Sequence, residues 1–198
     1  MDAIQFVLAS RSPRRVQFLR EAGFAFHIDP ADVPEIPAPG EAAADYALRV
    51  AIAKASAAQQ RHPALPCLGA DTDVVLAGRI LGKPADAAEA EAMLAALSGQ
   101  THQVISAVAL LHAGQCYQRV TTTEIIFAEL SRETIAGYVA SGEPMGKAGA
   151  YAIQGLAARF VREVRGSYTG VVGLPMSETC ALLAHLGIQP RHASTIPL

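Results

Sequence analysis

The chain has 198 residues, 51% hydrophobic and 17% charged, enough to bury a core without disulfide or metal staples and too apolar for a disordered chain. Lys and Arg number 16 against 18 Asp and Glu, and the resulting net charge of −2 excludes a chain-wide polybasic nucleic-acid binder. Three cysteines, widely separated at 67, 116 and 180 with no CxxC, fit neither a disulfide framework nor a zinc knuckle. The opening Met1-Asp2-Ala3-Ile4 has no basic segment leading into a long apolar run, and no apolar run reaches about 18 residues. The expectation is an α/β protein of the cytoplasm, with no signal peptide and no membrane association.

Ile4 to Ala9 reads as a short buried strand. A helix follows, with Ser12 as its cap, Pro13 at the first helical position, Gly23 at the stop and Val16, Leu19 and Ala22 as its apolar stripe. Phe24 to Ile28 suggests a second strand, and the proline-rich stretch from Pro30 to Gly40 a loop. A long Ala-rich helix is expected over about 41–60, with Tyr46, Val50, Leu48 and Ile52 toward the core. Pro66 to Leu76 carries a strand that turns at Ala77-Gly78-Arg79, and Asp86 with Glu89 forms a capping-box pattern for a helix ending at Gly99. Strands are expected over about 103–112 and 117–128, joined at Ala113-Gly114, then a helix from Ser131 to about Ala140 stopped by Gly142-Glu143-Pro144. Phe160 to Val164 is strand-like, Pro175 to Leu186 is the last helix, and 190–198 reads as a loose tail after a single domain over 1–189. Alternating strands and helices with a strand pair between them favour a mixed α/β sheet over a purely doubly wound one.

Four stretches can carry chemistry. Ser10-Arg11-Ser12-Pro13-Arg14-Arg15 lies where a strand hands over to a helix; three arginines at a helix start oppose the macrodipole, yet with the free N–H groups they suit an external phosphate. Gly69-Ala70-Asp71-Thr72-Asp73 puts two carboxylates on one face of a strand, where they suit a hard metal, a general base or only a polar turn. The scarce lysines Lys54, Lys83 and Lys147 read singly as solubilising charges and together as neutralisers of a polyphosphate. Gly149 to Leu156 offers small residues for close approach and Gln154, whose paired donor and acceptor match the edge of a base. Gly142 to Lys147 is one residue short of a Walker A loop, neither HExxH nor GxSxG occurs, and His102, Cys67 and Cys180 read as structural.

The ordered set Leu8-Ala9-Ser10-x-Ser12-Pro13-Arg14-Arg15, Gly69-Ala70-Asp71-Thr72, Lys83-Pro84, Leu97-Ser98-Gly99-x-Thr101-His102, Gly142-Glu143-Pro144, Lys147-Ala148-Gly149-Ala150-Tyr151, Ile153-Gln154-Gly155 and Val171 to Pro175 resembles the Maf-like family of nucleotide pyrophosphatases, the septum-formation-protein homologues. The resemblance runs from Phe6 to about Leu186. It implies a mixed sheet with flanking helices forming two lobes around a central cleft, similar to inosine-triphosphate pyrophosphatases, and a homodimer. It implies hydrolysis of a nucleoside triphosphate with a divalent cation, Mg²⁺ or Mn²⁺. Asp71 matches the proton acceptor and metal-linked carboxylate, and Glu35 a second acid near the metal. Arg14, Thr72 and Gln154 match the base-selecting positions, while Ser10, Arg15, Lys54, Lys83 and Lys147 match polar positions around the phosphates. Thr72 with the Ile153-Gln154-Gly155 pattern resembles the branch acting on dTTP and UTP. Gly146 stands where the family often has Asp, Ala157-Ala158 replace a common glycine pair, Gly170 replaces a frequent Asn, and Asp73 an apolar residue. The alternatives are a pyrophosphatase for purine or modified nucleotides such as 7-methyl-GTP, and a nucleotide-binding regulator of division with little catalysis.

Overall fold

The computed structural model describes residues 3–191, so most of the expected tail, 192–198, lies outside the described residues. The strands are β1 (Phe6–Leu8), β2 (Phe26–Ile28), β3 (Cys67–Leu76), β4 (Arg79–Leu81), β5 (Thr101–His112), β6 (Gln115–Phe127) and β7 (Val161–Arg165). The helices are α1 (Pro13–Glu21), α2 (Ala43–Arg61), α3 (Ala87–Leu97), α4 (Arg132–Ala140), α5 (Tyr168–Val172) and α6 (Met176–His185). The seven strands form one sheet in the order β2-β1-β3-β5-β6-β7, with β4 paired to β3. β1 runs parallel to β2 and β3, whereas β4 on β3 and β7 on β6 are antiparallel, which makes the sheet mixed.

The described residues divide into two compact units, one of residues 3–71, 106–120 and 173–191, the other of 72–105 and 121–172. In the first, β1 is fully buried and its side chains alternate between two layers. Phe6 and Leu8 join Leu19, Phe24, Leu68, Leu110, Leu174 and Leu183 in one apolar cluster. Val7 packs with Ala9, Ala58 and Cys67 in a second cluster, which includes α2. Along α2 the buried face is Tyr46, Ala47, Val50, Ala51, Lys54, Ala55 and Ala58, while Leu48 and Ile52 are only half-buried. Alanine lines that face because α2 lies close to β3. A Cβ on Gly69 would stand 2.1 Å from the Ala51 carbonyl oxygen and 2.7 Å from the Ala55 nitrogen.

The second unit has an aromatic centre. The His102 ring meets Phe127 and Tyr151 edge-on at centroid distances of 4.8 and 5.5 Å, and Phe160 meets Tyr138 at 5.1 Å. His102 is 2% exposed, its Nε2 bonds the Tyr151 hydroxyl at 2.8 Å, and burial lowers its pKa from 6.5 to about 4. α3 packs against α4. α3 starts as its sequence indicates: Asp86 accepts from the Glu89 N–H at 2.8 Å, and Glu89 reaches back to the Ala85 N–H at 2.7 Å.

Two local expectations change. Ser12 stands at the cap of α1, but its side chain makes no cap bond; its N–H instead donates to Ser10 Oγ at 3.2 Å. The stretch after Lys147, where the sequence suggests only small residues around Gln154, forms two 3₁₀ turns, Ala148–Ala150 and Leu156–Phe160, around an extended Tyr151. Gly149 and Ala150 both take positive φ, 66° and 59°. A Cβ on Gly149 would lie 2.8 Å from a Val74 methyl, so glycine is required there.

Two predictions follow from this packing. Gly69→Ala forces α2 off β3 and costs at least about 3 kcal/mol in urea unfolding, because the obstacle is backbone rather than a movable side chain. The folded-state pKa of His102 lies below its unfolded value, so its contribution is complete above pH 6.5 and is lost as the pH falls toward about 4. Between pH 7.5 and 4 the His102→Gln protein loses less stability than the unmodified chain, by on the order of 3 kcal/mol in chemical denaturation.

Candidate active site

In the first unit the polar residues converge at the C-terminal ends of β1 and of the early part of β3. Ser10, Arg15, Lys54 and Asp71 are each 8% exposed. The side chain of Lys54 leaves the buried face of α2 where Gly69 permits the closest approach, and its Nζ meets Asp71 Oδ1 at 2.7 Å. The same ammonium holds Glu35 Oε1 at 2.6 Å. A charge this deeply buried is costly unless paired, so Lys54 and Asp71 stabilise each other, while Glu35 adds its contact from an exposed position. The lysine that read singly as a surface charge is thus the centre of an ion-paired cluster. The ammonium engages Asp71 through Oδ1.

Glu35 reaches the cluster from the proline-rich loop, and both ends of that loop are tied down. Arg61 donates to Asp29 Oδ2 at 2.7 Å and to the Pro30 carbonyl at 3.1 Å. Arg49 donates to both oxygens of Glu41 at 2.7 Å and to the Ile36 carbonyl at 3.1 Å. The Arg49 hydrogen bonds, then that of the Ala38 N–H, lower the Glu41 carboxyl to about 2. The loop is irregular in form yet fixed in place.

Arg15 supports the same floor. Its Nε donates to the Gly173 carbonyl at 2.7 Å and its Nη1 to the Ala70 carbonyl at 2.8 Å and to Ser10 Oγ at 3.2 Å. The guanidinium therefore links α1 to the residue before Asp71. Arg14, one position earlier, is half-buried at the opening of α1, whose first turn carries no acid. An unopposed helix N-terminus with arginine beside it attracts an anion.

Thr72, Lys83, Lys147 and Gln154 belong to the second unit. Thr72 is half-buried on β3, and Lys83 and Gln154 are exposed on loops. The Gly149 N–H donates to the Gly82 carbonyl at 3.0 Å, which joins the backbone beside Lys83 to the segment after Lys147. Lys147 Nζ donates to the Met145 carbonyl at 3.2 Å. Asp73 is buried at 7% exposure, two positions along β3 from Asp71.

Sequence reasoning missed two contributors. Gly69 was visible only as a small residue before Asp71; its role depends on a helix remote in sequence. Glu143 was visible as part of a helix stop and of the family's motif set, with no role of its own. In the fold its Oε2 accepts from the Leu156 N–H at 3.0 Å and its Oε1 accepts from the Tyr138 hydroxyl at 2.9 Å.

Among the described residues no group of three His, Cys, Asp or Glu side chains is arranged to hold a metal ion. The donor set that is present, Asp71 and Glu35 converging on one cation, consists of hard oxygens. It fits Mg²⁺ or Mn²⁺, which take one or two protein carboxylates and complete their shell with phosphate oxygens and water.

Fold and site together define a mixed α/β protein with a buried acid–base cluster beside an anion-attracting helix start. The Maf-like protein family model matches residues 5–186, and the chain belongs to that family. It is 48% identical over 198 residues to a dTTP/UTP pyrophosphatase of Pasteurella multocida, covering 96% of this chain and 99% of the relative. It is 51% identical over 194 residues to a dTTP/UTP pyrophosphatase of Nitrosomonas europaea, covering 91% and 94%. It is 50% identical over 190 residues to one of Bordetella avium, again covering 91% and 94%. Among the described residues no helix is long and apolar enough to cross a membrane.

Removing Lys54 leaves Asp71 buried without its cation. Lys54→Ala is expected to cost about 3 kcal/mol in urea unfolding, and adding Asp71→Asn recovers part of that loss because the stranded charge is gone.

Proposed function

We propose that the protein hydrolyses dTTP and UTP to the monophosphate and pyrophosphate. The reading is carried by near-full-length identity of about half to relatives named for that activity. The chemistry of the Asp71–Lys54–Glu35 cluster agrees with it. Composition and the three free cysteines support a cytoplasmic setting.

Water attacks the α-phosphorus. A bond forms from its oxygen to phosphorus, the bond from phosphorus to the α–β bridging oxygen breaks, and the electron pair leaves with pyrophosphate. Asp71 orients the water and takes its proton on Oδ2, while Lys54 fixes Oδ1 and prevents the carboxylate from rotating away. Lys83, Lys147 and the start of α1 offset charge on the departing pyrophosphate. Arg15 contributes by holding the backbone beside Asp71 and Ser10 in place. Thr72, Gln154 and Arg14 read the pyrimidine; the amide of Gln154 is exposed and presents both a donor and an acceptor. Glu35 would hold the divalent cation, with Asp71 joining it as the alternative to acting as base; the cation when bound supplies further neutralisation of phosphate charge.

Pyrophosphate release measured with Mg²⁺ or Mn²⁺ across dTTP, UTP, CTP, GTP, 7-methyl-GTP and ITP tests the reading. dTTP and UTP are expected to lead, and Asp71→Asn to lower their turnover by at least about 100-fold in a protein that still folds but melts at a lower temperature, because Lys54 loses a buried partner. A lead for 7-methyl-GTP or ITP moves the chain to another substrate branch. Nucleotide binding without release from any of the six favours the regulator instead.

A further inference from the structure

We propose that Tyr138 and Glu143 form a brace that positions Gln154 and thereby governs base selectivity without touching the nucleotide. The inference rests on the reading of Gln154 as a base-contacting residue.

Gln154 lies at the crest of a tight turn in which the Gly155 N–H donates to the Ala152 carbonyl at 2.9 Å. Both sides of that turn are tied to the same two side chains. Before it, the Ala152 N–H donates to the Tyr138 hydroxyl at 3.2 Å. After it, the Leu156 N–H donates to Glu143 Oε2 at 3.0 Å and the Ala157 N–H to Oε1 at 3.4 Å. Tyr138 closes the arrangement by donating to Glu143 Oε1 at 2.9 Å. The tyrosine is 1% exposed at the end of α4, so the brace is anchored in the aromatic centre of the unit.

The chemistry at Glu143 suits only a carboxylate. Burial opposes its charge, but the N–H groups of Leu156 and Ala157 and the Tyr138 hydroxyl outweigh burial and keep its pKa below the ordinary value. A carboxylate accepts at both oxygens, whereas a glutamine turns an N–H₂ toward at least one of these donors. Gly155 gives a second, independent sign of the fit. A Cβ there would lie 2.3 Å from Oε2 and 2.5 Å from Oε1, so the carboxylate occupies the space that a side chain would need. With its flanking amides held, Gln154 presents its amide from a fixed backbone, and little ordering remains to be done when a base binds.

The test compares kcat and KM for dTTP and GTP in Gln154→Ala, Tyr138→Phe, Glu143→Gln and the Gln154→Ala/Glu143→Gln pair, with thermal melts alongside. Tyr138→Phe deletes one oxygen and preserves ring packing, so it reports on the brace even where Glu143→Gln folds poorly. Gln154→Ala is expected to narrow the dTTP:GTP ratio of kcat/KM by about tenfold or more. The two brace variants narrow it by at least about threefold, chiefly through KM for dTTP, and the pair is no less selective than Gln154→Ala alone. An unchanged ratio in Gln154→Ala removes the reading of Gln154 and the inference with it. A ratio narrowed by Gln154→Ala but intact in both brace variants overturns the inference alone. So do an equal loss of rate on both nucleotides in the brace variants and losses of selectivity that simply multiply in the pair.

Discussion

A lysine ammonium with little access to water must be matched by negative charge, and around Lys54 that requirement organises the first unit. Asp71 comes from a strand, Glu35 from an irregular loop and Lys54 from a helix, three elements with no local reason to meet. They meet because Gly69 lets α2 lie against β3 closely enough for a side chain of lysine length to bridge them. Pairing offsets the desolvation of Lys54 and Asp71, so the pair also fixes the distance between helix and strand, and Glu35 ties the loop to it from the exposed side. The feature that makes the site costly to build makes its geometry hard to deform.

The supporting residues share a logic. Arg15 spends donors on the carbonyls of Gly173 and Ala70, Arg49 and Arg61 hold the loop that carries Glu35, and Glu143 holds the backbone around Gln154. In each case a charged side chain bonds backbone groups, and apart from Ala70 on β3 these lie in loops or at the start of a 3₁₀ turn. Irregular segments can then present functional side chains with the precision of regular ones. Arginine suits this work because its planar fork reaches two or three acceptors at once.

The regular elements were legible in the sequence. The apolar run Ile4 to Ala9, the Asp86 and Glu89 capping pair, the Ala77-Gly78 and Ala113-Gly114 turns and the proline-rich loop all fall where their local chemistry indicates. Ser12 stands at the expected cap position, yet its side chain leaves the cap unmade. Leu48 and Ile52 reach only half burial because close approach of α2 to β3 favours alanine over larger residues on the inner face. The 3₁₀ turns after Lys147 had no local signature, since their conformation depends on Val74 and Glu143.

For the site, the sequence by itself singled out the residues proposed to carry chemistry. Its arginine-rich helix start, Asp71 at a glycine-led strand, the scarce lysines and Gln154 in a small-residue turn are local patterns, and Maf-like family membership rests on their order along the chain. Only the tertiary structure decided which of them act together. Lys54 and Asp71 are 17 residues apart and Arg15 and Gly173 are 158 apart, so their contacts depend on helix packing and strand pairing rather than on local propensity. Whether a lysine is a solvated charge or a buried keystone depends on what packs around it, and that information is absent from its neighbours in the chain.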